Sequence, residues 1–216
     1  MSGFRPPWVP RRFGDVPPAF GPWGPLGRRV RPSSTDRKRA TAGSTDERSL
    51  TPAEIEMAGR VFGRAIAYER VKVHRGSFFP FNLQREHTAV SPNGEIYFLP
   101  DDYRSDYARS TDFFKHWFIH EMVHVWQYQL GYPVMWRGAV RIGLSYRYEL
   151  DARRTLCDYN MEAQGDLIAD YFAIKMLGNA GPVHNRQPDG KPYPVADYER
   201  TLANFLADPC DKANLP

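Results

Sequence analysis

His120, Glu121 and His124 fall within FFKHWFIHEMVHVWQYQL, residues 113–130. On a helix, positions four apart lie only about 40° apart on one face. Two imidazoles so placed can bind one zinc ion, each at roughly 2.0–2.1 Å. Glu121 projects about 100° round from His120, beside such an ion rather than onto it, where a carboxylate can take a proton from water. The opposite face carries Phe114, Phe118, Ile119, Met122, Val125 and Trp126, so one side reads as core and the other as chemistry.

Two histidines do not complete a catalytic zinc site, which takes a third protein ligand and leaves the fourth position to water. DYNMEAQGDLIADYF, residues 158–172, offers that ligand. Glu162 and Asp166 are four apart on one helix face, and Asp170 continues the row. Glu162 is expected to complete a site for one Zn2+ per chain. Asp166 would accept the second ring N–H of a ligand histidine, His120, and fix its tautomer. Peptide hydrolysis would also need an oxyanion donor, for which Tyr146, Tyr148, Tyr159 and His184 are candidates. Tyr159 stands three residues before Glu162. His116, one turn before His120, reads either as a cleft-lining group or as a satisfied structural histidine.

These side chains need a scaffold, and the sequence punctuates one. The first helix begins at Thr51, with Pro52 at its first position and Glu54 closing a capping box. Ile55, Ala58, Phe62, Ala65 and Ile66 form its apolar stripe. VKVH, HTAV and EIYFLP read as strands, the last two turned by Pro92-Asn93-Gly94. EIYFLP fits an edge strand along a cleft and an internal strand equally well. The helix bearing His120 starts from Ser110 or Thr111 and ends near Leu130 and Gly131. Residues 132–159 are irregular, with a strand or hairpin about RIGLSYRYEL. Helices follow over about 160–177 and 195–207. The class is α+β, a small antiparallel or mixed sheet packed on the two site-bearing helices.

Residues 1–50 read as a flexible arm and 51–216 as the domain. The arm holds eight prolines, six glycines and 10 Lys+Arg against 4 Asp+Glu, so the net charge of +4 belongs to it and not to the body. Phe4, Trp8, Phe13, Phe20 and Trp23, spaced among prolines, fit a segment that docks on the body or on a carrier. A basic arm could also touch nucleic acid, but no DNA- or RNA-reading motif accompanies it, so no nucleic-acid partner is expected. No apolar run is long enough to span a membrane, and MSGFRPPWVPRRFGDV lacks the apolar region of a secretory signal. Cys157 and Cys210 fit either one disulfide or two separate thiols.

His120-Glu121-x-x-His124 followed by Glu162-Ala163-x-x-Asp166 resembles the gluzincin metallopeptidases. In them an asparagine directly precedes the ligand glutamate; here Asn160 stands one place earlier. FIHEMVHVWQYQLG, LSYRYEL and CDYNMEAQGDLIADYF together are similar to metallopeptidase domains associated with VgrG and Rhs proteins of type VI secretion systems. That resemblance covers about residues 85–177. It implies a zincin-like fold and a peptidase acting on peptide or protein substrates, with Glu121 as catalytic base. It further implies a VgrG- or Hcp-like secretion carrier and a cognate immunity protein. The protein would be made in the cytoplasm and exported without a signal peptide to a rival cell's periplasm, the alternative being a cytoplasmic protein. A zinc amidase cutting peptidoglycan and a non-catalytic zinc-binding module are the other readings of the same residues.

Overall fold

The computed structural model describes residues 47–78, 84, 87–135 and 145–216. Most of the proline-rich arm therefore lies outside the described residues, but its last part is strand. Glu47–Ser49 (β1) pairs antiparallel with Lys72–Arg75 (β2). Ile96–Phe98 (β4) runs parallel to β2, and Ala89–Val90 (β3) pairs antiparallel with β4. The order β1-β2-β4-β3 makes a small mixed sheet in which β4 is internal and β3 forms one edge.

Between β1 and β2 stands helix α1, Pro52–Phe62, which begins with the expected capping box. Its apolar face differs from the expected stripe: Met57, Ala58, Val61 and Phe62 are buried, whereas Ile55 is 36% exposed. Glu54 explains the rotation. Fully buried, it accepts from the guanidinium of Arg48 through both oxygens at 2.8 Å. It also accepts from the backbone of Thr51 and Tyr107. Holding Glu54 inward turns its neighbour outward, since consecutive helix positions diverge by about 100°.

Helix α2 spans Asp112–Gln129 from the N-cap Thr111. Every residue from His116 to Gln127 is buried, so the helix is not amphipathic as expected. One side meets α1 and β4, and the other is covered by helix α3, Met161–Met176. Asn160 caps α3 by accepting from the backbone of Glu162 and Ala163, which accounts for its place two residues before the glutamate.

The expected last helix is broken at Leu202 into α4, Val195–Thr201, and α5, Ala203–Ala207. The break lets Phe205 meet both Phe62 and Trp126 edge-on in the core. Ser145–Leu150 forms no strand, and residues 141–144 lie outside the described residues. Its backbone is satisfied by side chains instead: Asn160 donates to Ser145 O, Asn185 accepts from Tyr148 N, and Tyr159 donates to Glu149 O. Among the described residues no helix is long and apolar enough to cross a membrane.

Arg48→Ala should cost about 3 kcal/mol, because it leaves the Glu54 carboxylate buried without its cation. Urea denaturation measures this. A loss below about 0.5 kcal/mol, the surface-substitution range, would mean that β1 is not part of the folded body.

Candidate metal centre

Helices α2 and α3 run antiparallel and face each other through polar side chains. His124 meets Glu162, His120 meets Asp166, and His116 meets Asp170, a three-rung ladder in which each step along one helix matches a step back along the other. All six groups are at most 4% exposed. The i, i+4 spacing on both helices generates the ladder once they pack antiparallel.

In the middle rung His120 Nδ1 lies 2.8 Å from Asp166 Oδ1. In the outer one His116 Nε2 lies 2.7 Å from Asp170 Oδ1, whose other oxygen accepts from Tyr148 Oη, itself 3.0 Å from Tyr198 Oη. Burial pushes both the Asp170 carboxyl and the Tyr148 phenol upward. His116 is thus a core group held through Nε2 by Asp170.

The remaining rung is different. His120 Nε2, His124 Nε2 and Glu162 Oε2 form a triangle with sides of 3.2, 3.3 and 3.5 Å. Nδ1 of His124 faces Gln127 Oε1 at 2.9 Å, as Nδ1 of His120 faces Asp166. With protons on both Nδ1 atoms, both Nε2 atoms present lone pairs to each other and to a carboxylate. Three acceptors aimed at one point require a positive charge between them. Burial opposes charge on His120, but Asp166 and Glu162 outweigh it and hold the imidazole well above its usual range. Burial likewise opposes ionisation of Glu162, but His124 and His120 hold its carboxyl well below the usual range.

A divalent cation fits this triangle. Ligands held at about 2.0–2.1 Å around a tetrahedral ion stand roughly 3.3–3.4 Å apart, which the three sides bracket. Among the described residues these three form the one His/Cys/Asp/Glu group whose ligand atoms lie within 4.8 Å of one another. Two nitrogens and one oxygen are a donor set suited to zinc.

Around the triangle, the residues expected from the sequence divide. Glu121 is buried next to His120, and its Oε2 accepts from Ser91 Oγ at 2.8 Å. Ser91 directly follows β3, so the sheet edge reaches the site. Tyr146 lays its half-buried ring against His120, with centroids 6.0 Å apart. Tyr159 is committed elsewhere: its hydroxyl donates to Glu149 O. Tyr148 likewise belongs to the Asp170 rung. His184 is exposed on the loop whose Asn185 reaches Asp166 at 3.4 Å. Partial desolvation of its ring and the nearby His116 lower its pKa. His74 pairs with Glu95 and His87 with Asp102, outside the ladder.

Ser91 and Gln127 were not legible as site residues. A serine after a short strand and a glutamine three places beyond a histidine carry no spacing signal of their own. The pairing of His116 with Asp170 was visible only as two separate helical rows.

The fold and site together define an α+β domain built on a buried His-His-Glu cluster between two antiparallel helices. No protein-family model matches the chain. The solved effector domain of Pseudomonas aeruginosa VgrG2b aligns with a TM-score of 0.59 and 31% sequence identity, over 77% of this chain and 88% of that domain. This chain belongs to the family of that effector domain. The type VI secretion system spike protein VgrG2b of Pseudomonas aeruginosa is 38% identical over 136 residues, 59% of this chain. The match spans 13% of that spike protein's length.

Gly165 fixes the face of His120: a Cβ there would lie 2.6 Å from Cε1 and 2.8 Å from Nδ1 of the ring. Gly165→Ala should therefore destabilise by about 1–3 kcal/mol through overpacking. Gly59→Ala, where nothing lies within 4 Å, should stabilise α1 by roughly 0.5–1 kcal/mol. Thermal unfolding of the two variants checks the contrast, and a neutral Gly165→Ala would show that the His120 ring is free to move.

Proposed function

We propose that this domain is a zincin-like zinc metallopeptidase, one Zn2+ per chain, deployed as a type VI secretion effector. The observation that carries the proposal is the triangle of His120 Nε2, His124 Nε2 and Glu162 Oε2, whose sides of 3.2–3.5 Å match tetrahedral ligand spacing. When bound, zinc supplies a Lewis acid that polarises a peptide carbonyl and acidifies water.

The chain's own residues do the rest. His120, His124 and Glu162 hold the ion. Asp166 and Gln127 keep the Nδ1 protons of the two histidines, so both Nε2 lone pairs point inward. Glu121 takes a proton from the attacking water as its oxygen bonds to the scissile carbonyl carbon. It then delivers that proton to the amine nitrogen as the C–N bond breaks. The Ser91 hydroxyl fixes the carboxylate of Glu121 for both transfers. Tyr146, whose ring lies against that of His120, is the tyrosine we assign to an oxyanion. Tyr159 is not, since its hydroxyl serves Glu149.

The effector role is supported by the relative's own description as the effector domain of a spike protein. A VgrG-like carrier and a cognate immunity protein are the partners this role entails, and the periplasm of a rival cell is the proposed place of action.

Protein purified without added metal should carry about one zinc per chain by mass spectrometry, lost in His120→Ala and in Glu162→Ala. Glu121→Gln should keep the zinc and lower hydrolysis of a denatured protein by about 10²–10⁴-fold. Full activity in that variant would remove the mechanism, and zinc retained by Glu162→Ala would remove the ligand set. Digestion of purified sacculi with denatured protein left intact would replace the peptidase by an amidase.

A further inference from the structure

We infer that the 208–214 segment is a working part of the metal centre, acting on His124 through a one-directional relay of two buried amides, with Gln127 and Gln164 as positioning residues. The inference rests on the proposed metal site but not on any hydrolytic activity.

The polarity of the relay is fixed by groups that can only accept. Gln164 donates through Nε2 to the backbone carbonyls of Leu156 at 2.8 Å and Asn214 at 3.0 Å. Its oxygen therefore faces the other way, toward Gln127. Gln127 donates through Nε2 to that oxygen at 2.9 Å and to the carbonyl of Met161 at 3.2 Å. Its own oxygen must then face His124 Nδ1, which lies 2.9 Å away. Reversing either amide would set nitrogen against nitrogen or oxygen against oxygen in a dry interior.

His124 consequently has one tautomer, with hydrogen on Nδ1 and the lone pair of Nε2 turned to Glu162 and His120. Gln127 and Gln164 are wholly buried and Asn214 is 2% exposed, so water cannot substitute for a missing partner.

The far end of the relay is held as tightly. Asn214 donates from its side chain to the carbonyls of Asp208 and Asp211. Trp126 on α2 donates to the carbonyl of Pro209 at 2.7 Å. The segment is thus clasped to the same helix that carries His120 and His124. His120 is oriented by a carboxylate and His124 by a neutral relay, so the two ligands are tuned by different means.

Methionine keeps the volume of glutamine and deletes its amide. Gln127→Met should weaken zinc binding about 10- to 100-fold, the usual effect of removing a partner of a ligand histidine. Gln164→Met, which touches no ligand, should weaken it about tenfold by freeing the Gln127 amide. The double variant should be no weaker than Gln127→Met alone within about twofold, because both substitutions break one chain. Competition with a chromophoric chelator measures all three on the full chain, and melting of the metal-free proteins verifies folding. Should Gln127→Met not fold, Gln164→Met decides: wild-type affinity there overturns the relay. Additive losses in the double variant overturn it as well. A wild-type chain that binds no zinc overturns the metal site beneath it. Zinc binding without hydrolysis overturns only the peptidase.

Discussion

The constraint on which this domain depends is that three carboxylates on one helix are buried against another helix whose single lysine, Lys115, is engaged by Asp112 and does not meet them. Glu162, Asp166 and Asp170 face α2 at successive turns, and only imidazoles stand opposite. An unpaired buried charge destabilises by several kcal/mol, so the register of the two helices is not negotiable. A slip of one turn would strand a carboxylate at one end and a histidine at the other. Two rungs are closed by an N–H. The third is not closed in that way once both Nδ1 atoms carry the histidine protons, and that excess of acceptors is what suits it to a cation.

The other elements are arranged to keep this ladder dry and in register. The sheet contributes Ser91 to Glu121, and the irregular 145–150 segment contributes Tyr146 and Tyr148 from one side. The loop after α3 supplies Asn185 to Asp166. Each contact arrives from a different part of the chain, so the site is assembled by the whole fold. Tyr159 illustrates the division of labour: it pins the carbonyl of Glu149 and so holds the segment that brings Tyr146 to His120.

Much of this was legible in the residues. Helical spacing puts His120 with His124 on one face and Glu162 with Asp166 on another, and the want of a third ligand brings the two faces together. The capping box at Thr51 and Glu54 was equally local. What escaped was decided by long-range packing. Ile55 was assigned to the core on periodicity, but the ion pair of Glu54 with Arg48 rotated the helix. α2 reads as amphipathic, with a core side and a chemical side, but α3 lies across the chemical side and buries it as fully as the other. RIGLSYRYEL looked strand-like, yet over its described part side-chain amides and a phenol took the backbone bonds that a neighbouring strand would have taken. Gln127 and Ser91 act through partners far away in sequence, and neither leaves a trace in spacing.

The strand order carries a spatial consequence for any cargo joined to this domain. Ser91 and Glu121 sit at the β3 edge, whereas the chain enters the sheet at β1, the opposite edge. Neighbouring strands stand about 4.8 Å apart, so three steps across the sheet put roughly 14 Å between β1 and the strand that leads to Ser91. A leash fastened at Glu47 pulls on an antiparallel pair remote from the ladder. Anything joined ahead of Glu47 would meet the sheet at the edge opposite Ser91 and Glu121.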